Sequence, residues 1–242
     1  MKRLFIVLAL VVMASIITNA QTNNVFWAAR VKVKLDKKLE YEKKIPAFLS
    51  THYPQLKFRV YEILTGEHTG SYVYVVGPFS YKDLDAPKVF PKGEALLKSE
   101  AQAINALSEE VEVWYARRQD DISDINPDRK IKYLEVTSYE LIPGQWSRMR
   151  DILREGKEAR KLAGSKADIS IFKFSSSGLN NSFSSIRYFE KMEDLDLVED
   201  LATPYNKTKG AGAFERRVQE YYSLIRNSTV ELRVLREDLS TK

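Results

Sequence analysis

The chain has 242 residues, 38 Lys and Arg against 33 Asp and Glu, a formal net charge of +5, and no cysteine. Charges of both signs are interleaved rather than gathered into a basic stripe, which excludes a dedicated nucleic-acid binder. Disulfides and thiolate metal sites are excluded outright, so packing alone must hold the fold.

The first twenty residues, "MKRLFIVLALVVMASIITNA", have the layout of a secretory leader. Lys2 and Arg3 form a positive start, Leu4–Ile17 an apolar run, and Thr18-Asn19-Ala20 a small-residue exit. Cleavage is expected near Ala20-Gln21, placing the mature protein in the periplasm or outside a bacterial cell. No later stretch approaches membrane-spanning length, so stable membrane insertion of the mature chain is not expected. What remains suffices for one large domain or two of about 110 residues.

Taken in order, "ARVKVKL" (29–35) alternates with period two and predicts a strand. "EYEKKIPAFLSTHY" spaces Tyr41, Ile45, Phe48 and Leu49 as one helix face, and Pro46 predicts a short or kinked helix. Two β-rich runs then flank "LTGEHTGS", a hairpin signal ending in "KDLD" (82–85). A helix near Gly93–Leu107 and an alternating strand over 111–123 complete this half. "DISDINPDRK" (121–130), with Pro127 and its charges, reads as a joint. The expected division is residues 21–124, a linker at 125–130, and residues 131–242. The second half opens on "YLEVTSYEL". A helix follows, with Trp146, Met149, Ile152 and Leu153 on one face and Gly164 as its C-cap. A second hairpin crosses "SSSGLNNS" and ends in "EDLD" (193–196). A helix over Ala213–Ile225 and a strand over 230–240 close the chain.

Residues 57–85 overlay residues 168–196 without a gap, at a shift of 111 positions. Val60 falls on Ile171, Tyr61 on Phe172, Tyr72 on Phe183, Val75 on Ile186, and Asp83-Leu84-Asp85 on Asp194-Leu195-Asp196. Apolar positions coincide although identities are few. Each half therefore reads β-α-β-β-α-β, two tandem ferredoxin-like repeats of the α+β class. Right-handed crossovers give strand order 4-1-3-2. Such a sheet has helices on one face and needs a cover on the other.

With that order and "YELIPGQWSRMRDIL" (139–153), the sequence resembles the dimeric α+β barrel superfamily. That group includes antibiotic-biosynthesis-type monooxygenases and NIPSNAP-like proteins. The resemblance implies two open sheet faces turned toward each other as a single-chain α+β barrel. The chain would then be a monomer serving as its own pseudo-dimer, able to pair further as a homodimer.

Strand alternation turns Val31, Val33 and Leu35 toward the helices and Arg30, Lys32 and Lys34 toward the other face. On that other face the candidate cavity residues are Arg59, Tyr61, Glu112, Trp114, Tyr139, Arg187, Glu231 and Arg233, which suit a small aromatic or anionic ligand. Ordinary cross-strand pairing of the same charges is the competing reading. His52, read as lying just after the first helix, and His68, read as a hairpin-tip surface residue, lack a second metal ligand at suitable spacing. Haem-using relatives place a histidine on a helix, which neither matches, so no cofactor is expected. There is no nucleophile elbow, P-loop or dinucleotide fingerprint. Three functions remain: an exported small-molecule-binding protein, a cofactor-free monooxygenase-type enzyme on the same barrel, or an envelope interaction module with a filled barrel.

Overall fold

The computed structural model describes residues 24–85, 98–126, 128, 130–175 and 181–241. The expected leader, most of the second hairpin tip and the start of the helix expected from Gly93 lie outside the described residues.

The first half runs β1 (Val25–Val33), α1 (Lys38–His52), β2 (Arg59–Ile63), β3 (Tyr72–Phe79), a short α2 (Tyr81–Asp85), α3 (Lys98–Asn105) and β4 (Ser108–Arg118). The second runs β5 (Tyr133–Leu141), α4 (Trp146–Leu162), β6 (Asp168–Phe174), β7 (Ser182–Phe189), α5 (Ala202–Lys209), α6 (Ala213–Ser223) and β8 (Ile225–Leu235). The β-α-β-β-α-β order occurs in both, with α5 as an addition.

Tyr41, Ile45 and Leu49 are buried one above another on α1. Their packing carries the helix through Pro46 for 15 residues, longer than the short form of the short or kinked helix expected; one lost backbone bond is outweighed by a continuous buried stripe. α4 ends as predicted at Gly164, whose φ of +67° suits glycine. Ser165 N–H donates to Arg160 O at 2.9 Å and Gly164 N–H to Lys161 O at 3.2 Å, the paired bonds of a Schellman cap.

The repeated "DLD" phrase now has a cause. In each half it forms a helical turn after the third strand, folded around its first aspartate. Asp83 Oδ2 accepts from the Ser80 backbone and hydroxyl, each at 2.8 Å. Asp194 Oδ2 accepts from the backbone N–H groups of Glu190 at 3.3 Å and Lys191 at 3.2 Å.

The strands form one closed barrel in the order β1-β3-β2-β8-β5-β7-β6-β4. Each half keeps the 4-1-3-2 order. The halves do not merely face each other: their edge strands hydrogen-bond at two antiparallel seams. β2 meets β8 with Tyr61 opposite Leu235, and β4 meets β6 with Ala116 opposite Phe174. Closure removes the sheet edges that would otherwise seek another chain.

The closing strands begin and end earlier than expected, and the residues after them cross the seams. Ile122, with no exposed surface, packs with Leu141, Met149, Ile171 and Phe183 of the second half. Leu239, 2% exposed, packs with Tyr41, Ile45 and Leu49 of the first. Ser123 Oγ accepts from Ile171 N–H at 2.9 Å, and Ser240 Oγ accepts from Val60 N–H at 3.0 Å. Asp124 pairs with Arg160 at 2.8 Å and bridges to Ile169. Residues 120–124, assigned by sequence to the first half, are thus docked on the second.

Two apolar clusters lie between helices and barrel wall, one per half, and a third lies inside the barrel. Val31 and Val33 face the helices as expected. Leu35 does not: it lies beyond β1 in a short 3-10 turn and is 90% exposed.

Candidate functional site

Alternation sends one residue in two of each strand into the lumen, and the two ends of the barrel differ. One end is filled by Tyr61, Leu134 and Val136 with Ile131, Tyr188 and Leu235 packed against them. Burial pushes the Tyr188 phenol up to about 12 and the Tyr61 phenol upward too, the latter partly offset by Arg59 and Arg233. The other end holds a cavity of about 360 Å³. Val75, Val136 and Ile186 belong to both cavity wall and plug and form the floor.

Phe26, Trp114, Phe172 and Phe174 make an aromatic wall across the β1–β4–β6 side. Trp114 and Phe174 meet edge to face at 6.5 Å, and Phe26 and Phe172 at 5.3 Å. On the opposite side, Ser138 Oγ and Ser184 Oγ lie 2.8 Å apart. The charges are paired. Arg30 contacts Glu112 at 2.8 Å, Arg233 contacts Glu231 at 2.6 Å, and Glu140 contacts Arg226 at 3.1 Å. Glu231 and Arg233 are nearly buried, with side chains 11% and 12% exposed. A salt bridge this enclosed persists because each ion satisfies the other; neither could stay charged there alone at low cost.

Of the residues singled out in the sequence, the structure brings Glu112, Trp114, Glu231 and Arg233 together around this cavity. Tyr61 is in the lumen but in the plug. Arg59 is exposed and does not line the cavity. Tyr139 borders the cavity, yet its ring stacks on Phe183 at 4.7 Å and meets Tyr221 edge-on, on the helix side. Arg187 does not reach the lumen: it donates to Asp194 O at 2.7 Å, and Ser182, Ser184 and Ile186 are the cavity-facing residues of β7. The overlay contained this correction, since Arg187 falls on Val76, which packs under the helices.

Both histidines also depart from expectation. His52 is the last residue of α1, its ring 4.7 Å from Phe48. His68 is no plain surface residue but lines the cavity. Period-two reasoning could have found Phe26, Ser138, Ser184 and Phe174. It carries no signal for His68, which sits in a loop. Among the described residues no group of three or more His, Asp or Glu side chains could hold a metal ion.

No family model matches the chain, and neither does any curated protein. Solved structures do. An anthrone oxidase-like protein aligns over 90% of this chain and 93% of its own, with TM-score 0.56 and 10% identity. A putative monooxygenase from Lactobacillus acidophilus aligns over 87% and 93%, with TM-score 0.54 and 9% identity. A chlorite dismutase variant from Candidatus Nitrospira defluvii aligns over 90% and 93%, with TM-score 0.54 and 10% identity. At such identities the likeness is one of fold alone, an α+β barrel closed from two ferredoxin-like halves.

Proposed function

We propose that the protein is exported and binds a small, largely aromatic molecule in the lumen. The carrying observation is the cavity itself: about 360 Å³, floored by packed aliphatic side chains, walled by aromatic rings and supplied with a few hydroxyls. Small-molecule sites have this size and make-up. Its arginines already hold carboxylates, so an anion would compete with Glu112 and Glu231 for charge. A neutral ring bearing a hydroxyl or carbonyl enters without breaking an ion pair, and of the two ligand classes it is favoured. Both halves wall the site, consistent with reading the chain as a fused pair of barrel subunits.

The test is a thermal-shift panel of neutral one- to three-ring phenols and quinones, run on the wild type and on Ala28→Phe. Ala28 is a 5%-exposed residue lining the cavity, so a phenyl ring there should occupy the ligand's place. Stabilisation of the wild type that disappears in the variant is expected. A silent panel, or a shift that survives Ala28→Phe, would sink the reading. For export, the mature protein recovered from the cell envelope or medium should begin at Gln21 by intact mass.

A second reading is a cofactor-free oxygenase on the same barrel. Two neighbours carry the names anthrone oxidase-like protein and putative monooxygenase, and an electron-rich ring enclosed by aromatic walls suits reaction with oxygen. Oxygen uptake with compounds that bind, lost in Ala28→Phe, separates an enzyme from a carrier.

A further inference from the structure

We infer that His68 is the hydrogen-bond acceptor for a hydroxyl group of the lumenal ligand, an inference that rests on the binding reading above. His68 lies in the β2–β3 connection and lines the cavity. That connection is tied to the barrel. Leu64 N–H donates to Leu232 O at 2.7 Å, and Leu232 N–H donates to Thr65 Oγ1 at 3.0 Å. At Gly66 a Cβ would lie 2.9 Å from Val230 O and 3.2 Å from Glu231 Cγ, so the loop backbone presses against β8 beside the cavity. Its φ of +99° reinforces the need for glycine there. The far side is held as well: Ser71 N–H donates to His68 O at 3.0 Å and Gly70 N–H to Ile63 O at 2.8 Å. Backbone on both sides of His68 is therefore fixed, and its half-buried imidazole is delivered to the cavity by an anchored loop.

The remaining polar groups of the cavity point to its role. Arg30, Glu112, Glu140, Glu231 and Arg233 are each ion-paired, and Ser138 and Ser184 are paired with each other. Tyr139 bonds to Tyr221, so among the ionisable side chains lining the cavity the His68 imidazole alone has no hydrogen-bond or ion-pair partner among the described residues; the uncharged Ser182, Asn227, Ser228 and Thr229 line it as well. A neutral imidazole has one nitrogen that accepts and one that donates. A ligand hydroxyl could thus bond to it without breaking any contact already made.

The experiment compares 2-naphthol with 2-methoxynaphthalene, near-equal in shape but only the first able to donate, with affinities taken from ligand fluorescence. Wild-type protein should prefer the naphthol by roughly fivefold to tenfold, the worth of one hydrogen bond. His68→Leu should abolish the preference while leaving the ether bound at least as well. His68→Gln, which keeps an acceptor, should retain part of it. Equal binding of both compounds by the wild type, an undiminished preference in His68→Leu, or a parallel loss for both compounds would overturn the role of His68 and leave the cavity reading standing. Failure of the wild type to bind either compound would overturn the cavity reading, and this one with it.

Discussion

Glu231 and Arg233 stand two positions apart on β8, so the strand period turns both inward and lets them meet at 2.6 Å. With both side chains nearly buried, removal of one partner leaves an uncompensated charge. Glu231→Leu should therefore cost about 3–5 kcal/mol, and Glu231→Leu with Arg233→Leu should regain most of it. Urea denaturation of the two single variants and the double variant checks this through the coupling energy; additive losses would contradict it. Asp83 is a different case, a half-buried carboxylate whose pKa is lowered first by the Ser80 backbone N–H and then by its hydroxyl. Because the folded value lies below the unfolded one, its contribution is complete above the unfolded carboxyl range and disappears as pH falls through the folded value. Asp83→Ala should lower the melting temperature at pH 7, and its gap to the wild type should close toward pH 3 in a melting series. Glu112, Trp114, Glu231 and Arg233 were legible because a charge or ring alternated with valine or leucine. Arg187 shows that parity outranks charge: its position corresponds to helix-facing Val76, and its guanidinium stays outside the lumen.

Among the elements, β4 and β8 stop five residues short of the ends that the sequence predicts. Their true continuations are two reciprocal straps, "DDIS" (120–123) and "EDLS" (237–240). Each carries a buried aliphatic residue into the opposite half and a serine that receives a strand N–H there. Apolar, alternating ends look like strand in sequence, since nothing local says which half will bury Ile122 or Leu239. The straps should matter equally to both halves. Ile122→Ala and Leu239→Ala should each cost about 2–5 kcal/mol in equilibrium unfolding, as for other large-to-small core changes. A loss under 1 kcal/mol for either would show that strap to be dispensable. Arg236, at the start of the second strap, reaches both Glu42 on α1 at 2.9 Å and Glu62 on β2 at 2.7 Å and closes the β2–β8 seam from outside.

The whole molecule is one barrel, and neither half contains its own closure. A fragment ending at Gln119 would bare β2, which loses β8, and β4, which loses β6, together with the apolar lumen. Unpaired edges of that kind recruit further chains. Residues 21–119 should elute as dimers or larger species in size-exclusion chromatography, while the chain with both halves does not need a partner to close its sheet. A monodisperse fragment monomer would contradict this account.

The β-α-β-β-α-β order, the 4-1-3-2 strand arrangement within each half and the inward faces of β1, β2, β4 and β8 follow from the sequence alone. They depend on periods of two and 3.6 residues and on short, handed connections, all of which are local. The seams, the crossed straps, the division of the lumen into plug and cavity and the position of His68 were decided only by the tertiary structure. Those features arise between residues far apart in the chain; the Phe58 N–H to Thr241 Oγ1 bond, for example, spans 183 positions. A lumen is filled or left open by the summed volumes of side chains from eight strands, a quantity no single stretch of sequence contains.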